Sequence, residues 1–197
     1  MSTTRAVRRH MRYFIGFLVT IGLIVLLIVL LFHGGNSGKV PQTKVPLIDY
    51  ASTDTVVRET TDEIINAPDN HRTIEITVGR DNTTLNVIKG YDGESTKNLS
   101  YPMTQAGYAV FLKALQHAGF TLGNDDTKLQ DERGYCPMGK RYIFEVIQGG
   151  DSIQRYWTTT CGGSVPSTFK GNTETILDLF QNQVPDYQKQ VSNTELF

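Results

Sequence analysis

Cysteine is almost absent from this chain of 197 residues, which has Cys136 and Cys161 alone, and tryptophan occurs once, as Trp157. Two thiols with no third cysteine or nearby histidine do not make a zinc site, and without C-x-x-C spacing they do not make a redox motif. Histidine is limited to His10, His33, His71 and His117, and none of these shares a metal or nucleophile motif with another. The chain lacks G-x-S-x-G, H-E-x-x-H, Walker and Rossmann patterns, so no standard hydrolase or nucleotide site is written into it. Acidic residues are missing from the first 32 positions. With 18 glycines, 7 prolines and 39% hydrophobic residues, neither collagen nor wholesale disorder fits.

What the N-terminal region does hold is Arg5, Arg8, Arg9 and Arg12, followed by YFIGFLVTIGLIVLLIVLLF over residues 13–32. A helix of that length, at ~1.5 Å per residue, covers ~30 Å, the depth of a hydrocarbon core. The run is longer than the apolar core of a cleaved secretory signal (~7–15 residues), which favours an uncleaved anchor. The arginines precede the run, and only Lys39 and Lys44 follow closely, so the N-terminus is expected in the cytoplasm. Beyond residue 32 the chain carries 15 basic and 20 acidic residues, a net charge of −5. Such an acidic body argues against nucleic acid, whose affinity comes mainly from phosphate neutralisation. The expected organisation is a basic cytoplasmic tail (1–12), a transmembrane helix in the lipid bilayer (13–32), a flexible tether (33–54), an extracytoplasmic domain (55–187) and a disordered tail (188–197).

Within that domain, residues 55–65 are rich in Thr, Val and Ile, and 72–79 alternate strictly, with Ile74, Ile76 and Val78 on one face. A third strand is expected over 83–88, then a loop marked by Asp92-Gly93 and Pro102. Residues 105–118 place Tyr108, Phe111, Leu112 and Leu115 on one helical face, with Thr104 as cap and Gly119 as stop. Runs 142–147 and 152–160 flank Gly149-Gly150, a hairpin signal. Asn172 caps a last helix bearing Ile176, Leu179 and Phe180. The expected fold is α+β, in the order β-β-β-α-β-β-α, an antiparallel sheet with its helices on one face.

A hairpin turning at Gly149-Gly150 brings Cys136 and Cys161 to within about one diagonal step, on the oxidising side of the membrane in this reading. They are expected to form a disulfide, worth on the order of 3 kcal/mol for a loop of about 26 residues.

The stretches CPMGKRYIFEV (136–146), YWTTTCGG (156–163) and GNTETILDLFQNQVPDY (171–187) resemble the C-terminal signature of single-pass, membrane-anchored extracytoplasmic proteins of Saccharibacteria-type bacteria. ITVGRDNTTLNV (76–87) and QAGYAVFLKALQHAGF (105–120) are similar to the same group. The resemblance implies an outward-facing domain and paired cysteines. It brings no activity and no catalytic residue.

Two clusters are candidates for function. Trp157, Tyr142 and Tyr156 with Arg141 and Arg155 would, if exposed together, suit a carbohydrate or peptide, although cross-strand packing is the commoner fate of such residues. Asp125, Asp126, Asp131 and Glu132 form an acidic loop whose spacing does not meet the EF-hand order, so no metal is expected. Its carboxylates would need a cleft before they served as acid and base. The loop 162–171 precedes a helix N-terminus but matches no phosphate motif. No cofactor is expected. The leading expectation is a non-catalytic, membrane-anchored domain that binds an envelope protein or polysaccharide. The alternatives are an envelope enzyme using loop carboxylates and a protease-inhibitor-like module presenting residues 161–171. A deep cleft joining the acidic loop to His71 or His117 would favour the enzyme, and a shallow aromatic face around Trp157 would favour binding.

Overall fold

A computed structural model of the chain describes residues 20–24, 45–163 and 165–192. The chain divides into two units, Met1–Thr43 and Lys44–Phe197. In the second, the strands are β1 (Val56–Asp62), β2 (Arg72–Val78), β3 (Asn82–Lys89), β4 (Glu94–Pro102), β5 (Arg141–Gln148) and β6 (Asp151–Thr159). The helices are α1 (Gln105–His117), α2 (Thr173–Gln181) and α3 (Tyr187–Ser192). The strands form one sheet in the order β4-β3-β2-β1-β5-β6, with every neighbouring pair antiparallel. The fold is α+β.

Period-two alternation decides which side chains meet the helices. Val57, Ile76, Val78, Leu85, Val87, Phe144 and Val146 fall on one face by cross-strand register and join one buried cluster. Onto them α1 packs Tyr108, Phe111, Leu112 and Leu115, and α2 packs Ile176 and Phe180. The Thr104 hydroxyl accepts from the Gly107 amide and Asn172 accepts from the Thr175 amide, as capping chemistry requires. Gly119 adopts φ 83° and passes the chain to Phe120, which is fully buried. Gly149 and Gly150, at φ 60° and 91°, make the tight β5–β6 turn.

The order of elements differs from the expected one, because residues 94–102 are a fourth strand rather than a loop. β4 is an edge strand that turns only Lys97, Leu99 and Tyr101 towards the core side, so its composition is polar and its alternation faint. At the other end, residues 188–192, expected to be disordered, belong to α3, because Tyr187 and Val191 pack against the core and Lys97 Nζ donates to the Gln190 carbonyl. Residues 193–197 lie outside the described residues. Part of the expected tether is also folded: a 3-10 turn at Leu47–Tyr50 buries Leu47 in the core, and its amide donates to Gln116 Oε1.

Of the expected membrane span only residues 20–24 are described, and they are helical and exposed. The rest of 13–32, like the tail 1–12, lies outside the described residues. Among the described residues no helix is long and apolar enough to cross a membrane.

Candidate functional site

The sheet face turned away from the helices is built mainly from charged and hydroxyl side chains, with Ile143 and Trp157 among its apolar members. On β1 these are Arg58, Thr60 and Asp62, on β2 Thr73 and Glu75, on β5 Arg141, Ile143 and Glu145, and on β6 Arg155 and Trp157. Register sets them in three rows across the sheet. One row runs Thr73, Asp62, Arg141, the next Glu75, Thr60, Ile143, Trp157, and the third Thr77, Arg58, Glu145, Arg155. Opposite charges therefore stand directly across neighbouring strands, where side chains meet. Arg58 Nη2 donates to Glu145 Oε2 at 2.6 Å, and Arg141 Nη2 lies 2.6 Å from Asp62 Oδ2.

A long loop between α1 and β5 folds over the β5–β6 end of this face. It closes on Trp157, whose indole Nε1 donates to the Leu129 carbonyl and whose ring lies 5.2 Å from that of Tyr135. Arg155 ties the same loop down, through Nη1 to the Gln130 carbonyl at 2.8 Å and through Nη2 to Glu132 Oε2 at 2.5 Å. The third fastening is the disulfide Cys136–Cys161, with Cα atoms 5.8 Å apart. It is made by a turn rather than by the ladder: the Gly139 amide donates to the Cys136 carbonyl, folding Cys136 back over Gly139 towards Cys161. A Cβ on Gly139 would lie 2.5 Å from Cys136 Sγ and 2.5 Å from Thr160 Oγ1, so only glycine fits there.

Between this loop and the turns after β1 and β3 lies an open cavity of about 560 Å³. Its floor holds Arg58, Thr60, Asp62, Glu75 and Ile143; Glu132 and Arg133 form one wall, and His71 and Tyr91 form the other. His71 is buried, with Nδ1 3.2 Å from the Ile64 carbonyl and Nε2 3.0 Å from Asp62 Oδ1. Its ring stacks on Tyr91 at 4.1 Å and 14°. Tyr91 is 51% exposed, and its hydroxyl is fixed by the Asn66 amide and carbonyl. Asp62 is shared between Arg141, His71 and the Thr73 hydroxyl. Glu132 and Glu145 likewise have arginine partners. Glu75 differs: among the described residues it makes no ion pair and takes only a 3.4 Å hydrogen bond from Asn86 Nδ2.

The candidate aromatic patch does not form, and packing across the strands, the commoner fate, is what these residues show. Tyr142 and Tyr156 point to the helix side while Trp157, Arg141 and Arg155 point to the cavity side, and both Trp157 and Tyr156 are buried. Alternation of adjacent residues along one strand forces that split. Within the acidic loop, Asp125 accepts from the Tyr156 hydroxyl and Asp126 caps the 3-10 turn at Thr127–Leu129. Asp131 chelates exposed Arg133, which holds its carboxyl down to about 2 by hydrogen bonding, and Glu132 takes Arg155. Among the described residues no three His, Cys, Asp or Glu side chains are grouped to hold a metal ion. His117 is exposed at the end of α1, whereas His71 shares the cavity with Glu132. Sequence reasoning passed over Arg58, Asp62, Glu75, Tyr91 and Glu145. The available signal was a charge or hydroxyl at Arg58, Thr60 and Asp62 on β1 and at Thr73, Glu75 and Thr77 on β2, with Arg141 and Glu145 in phase on β5.

One further carboxylate sits on the opposite side of the sheet. Glu59, between Ile76 and Phe144 on the helix face, is 1% exposed and accepts the Thr61 hydroxyl at 2.6 Å. Burial pushes it from the ordinary 4.5 up to about 8, with Glu75 adding to the rise. Burial beside Glu59 and Glu63 also raises the Tyr187 hydroxyl.

No protein-family model matches the chain, and no curated protein sequence is detectably similar to it.

Proposed function

We propose that this protein is a non-catalytic binding domain, held at the outer face of a cell membrane by residues 13–32, that retains a polar polymer of the cell envelope in the cavity on its charged sheet face. The observation that carries the reading is the cavity itself. It is open, large enough for a chain of polar groups, and lined by side chains whose positions are already set by one another. Such preorganisation lowers the entropic cost of binding. The apolar run and the arginines before it support the anchor and its orientation.

A hydrolytic enzyme is the second reading, favoured by the meeting of His71 with Glu132 in one cavity. Proton transfer needs a nitrogen or carboxylate free to face the substrate. Both His71 nitrogens already face oxygen atoms and Glu132 is held by Arg155, so Glu75, the cavity carboxylate without an ion pair among the described residues, has neither of them free as the second group of an acid–base pair. Binding is therefore the better fit.

Co-sedimentation of the detergent-solubilised full chain with protease-stripped, insoluble envelope polysaccharide tests the choice. Retention that falls in Tyr91→Ala, without release of soluble sugar, is expected. Absence of retention would remove the binding reading, and sugar release abolished by His71→Ala would replace it with the enzymatic one.

A further inference from the structure

The cavity floor is balanced everywhere except at one point. Asp62, Glu132 and Glu145 each face an arginine at 2.6 Å or closer, so their charge is already answered within the protein. Glu75 stands in the middle row, beside Thr60 on β1 and Asn86 on β3, and accepts only a long hydrogen bond, 3.4 Å from Asn86 Nδ2, among the described residues. It is half-buried and lines the cavity. A carboxylate placed so is stabilised by a ligand that brings a cation with hydrogen-bond donors. On the same side, Tyr91 presents a half-exposed ring whose orientation is fixed at both ends, by the His71 stack and by the Asn66 backbone. A rigid, accessible aromatic ring combines an apolar face with a polar tip, which suits the alternating apolar and hydroxylated surfaces of a sugar.

We propose that the occupant of this cavity is an amino-sugar polymer with free amines, whose ammonium group is received by Glu75 and whose neighbouring ring lies on Tyr91. This rests on the reading of the domain as a polymer binder and adds the chemistry that the polymer must carry. A lysine-bearing peptide would satisfy Glu75 and could lay a stem or cation on Tyr91, but its flexible chain loses more conformational freedom on a platform fixed at both ends than a rigid sugar ring does, so the saccharide is favoured.

The test compares a glucosamine hexamer with its fully N-acetylated counterpart and with a hexalysine peptide, by calorimetry on the full chain in mildly acidic buffer. The free-amine hexamer is expected to bind about tenfold more tightly than the acetylated one, the range of a single charge-assisted hydrogen bond. Glu75→Gln, close to isosteric, should bring the two to within about twofold, and Tyr91→Ala should weaken both alike while leaving the tenfold preference in place. Equal affinity for acetylated and free-amine hexamers would overturn the inference and leave the polymer-binding reading standing. A preference that survives Glu75→Gln, or hexalysine binding as tightly as the amino sugar, would also overturn it. Failure of all three probes, with envelope polysaccharide also failing to retain the protein, would remove the underlying reading as well.

Discussion

Arg155 on β6 holds Glu132 of the covering loop at 2.5 Å while its other terminal nitrogen holds the Gln130 carbonyl at 2.8 Å. One side chain thus fixes the position of a cavity wall. Arg155→Ala would leave Glu132, which is 12% exposed, without its cation. A loss of about 1–2 kcal/mol is expected, discounted for the partial exposure of the arginine. Urea denaturation reads that loss, and binding of envelope polysaccharide should weaken in parallel. Unchanged binding with lowered stability would show that the wall is not part of the site.

The disulfide anchors the same wall. Replacing both Cys136 and Cys161 by serine should cost about 3 kcal/mol and expose the loop preceding β5 to proteolysis before the sheet unfolds. Gly139→Ala is expected to lower the fraction of oxidised protein, since its Cβ would meet Cys136 Sγ at 2.5 Å. Thiol titration of the folded protein measures this directly. Full oxidation of the alanine variant would contradict the close-packed turn described above.

Glu59 makes stability depend on pH. Its folded-state value is raised from 4.5 to about 8, so the folded protein keeps a proton that the unfolded chain releases. Stability from this group is therefore fully present below about pH 4.5 and declines as pH rises towards 8. Glu59→Gln keeps an acceptor for the Thr61 hydroxyl and carries no charge. It should flatten that decline and be more stable than the parent at pH 8, by on the order of a few kcal/mol. Parallel thermal denaturation of both proteins between pH 5 and pH 8 gives the answer, and identical slopes would show that Glu59 does not titrate in this range.

The anchor makes a separate prediction. Full-length protein should stay with membranes through alkaline carbonate extraction, and a chain beginning at residue 33 should be released. Protease added to intact cells should digest the domain. Protection of the domain in intact cells would reverse the proposed orientation.

Much of the fold could be read from residue order because local chemistry and tertiary packing agree there. Ile74, Ile76 and Val78 alternate in β2, Thr104 and Asn172 are good caps, and Gly149-Gly150 permits the positive φ angles of the hairpin. β4 escaped because an edge strand needs few apolar residues, and Gly93 and Pro102 at its ends are turn residues by habit. The candidate site was less legible. Its floor comes from β1, β2 and β5, and β5 lies some eighty residues from β1 in sequence and beside it in the sheet. Arg58 and Glu145, read singly, look like solvated charges, and only the register shows that they are neighbours. Trp157 is conspicuous by its rarity, but the loop that covers it has no apolar pattern. Glu59 was visible in principle, being in phase with Val57 and Thr61 on the core side of β1.

In the proposed function the charged sheet face, and not the helical side, receives the ligand. Hydrogen–deuterium exchange of the full chain, with and without solubilised envelope polysaccharide, tests it most directly. Added protection is expected in peptides covering residues 58–75, 88–93 and 130–135, with α1 and α2 unchanged. Protection confined to α1 and α2, or no change anywhere at saturating polysaccharide, would contradict it.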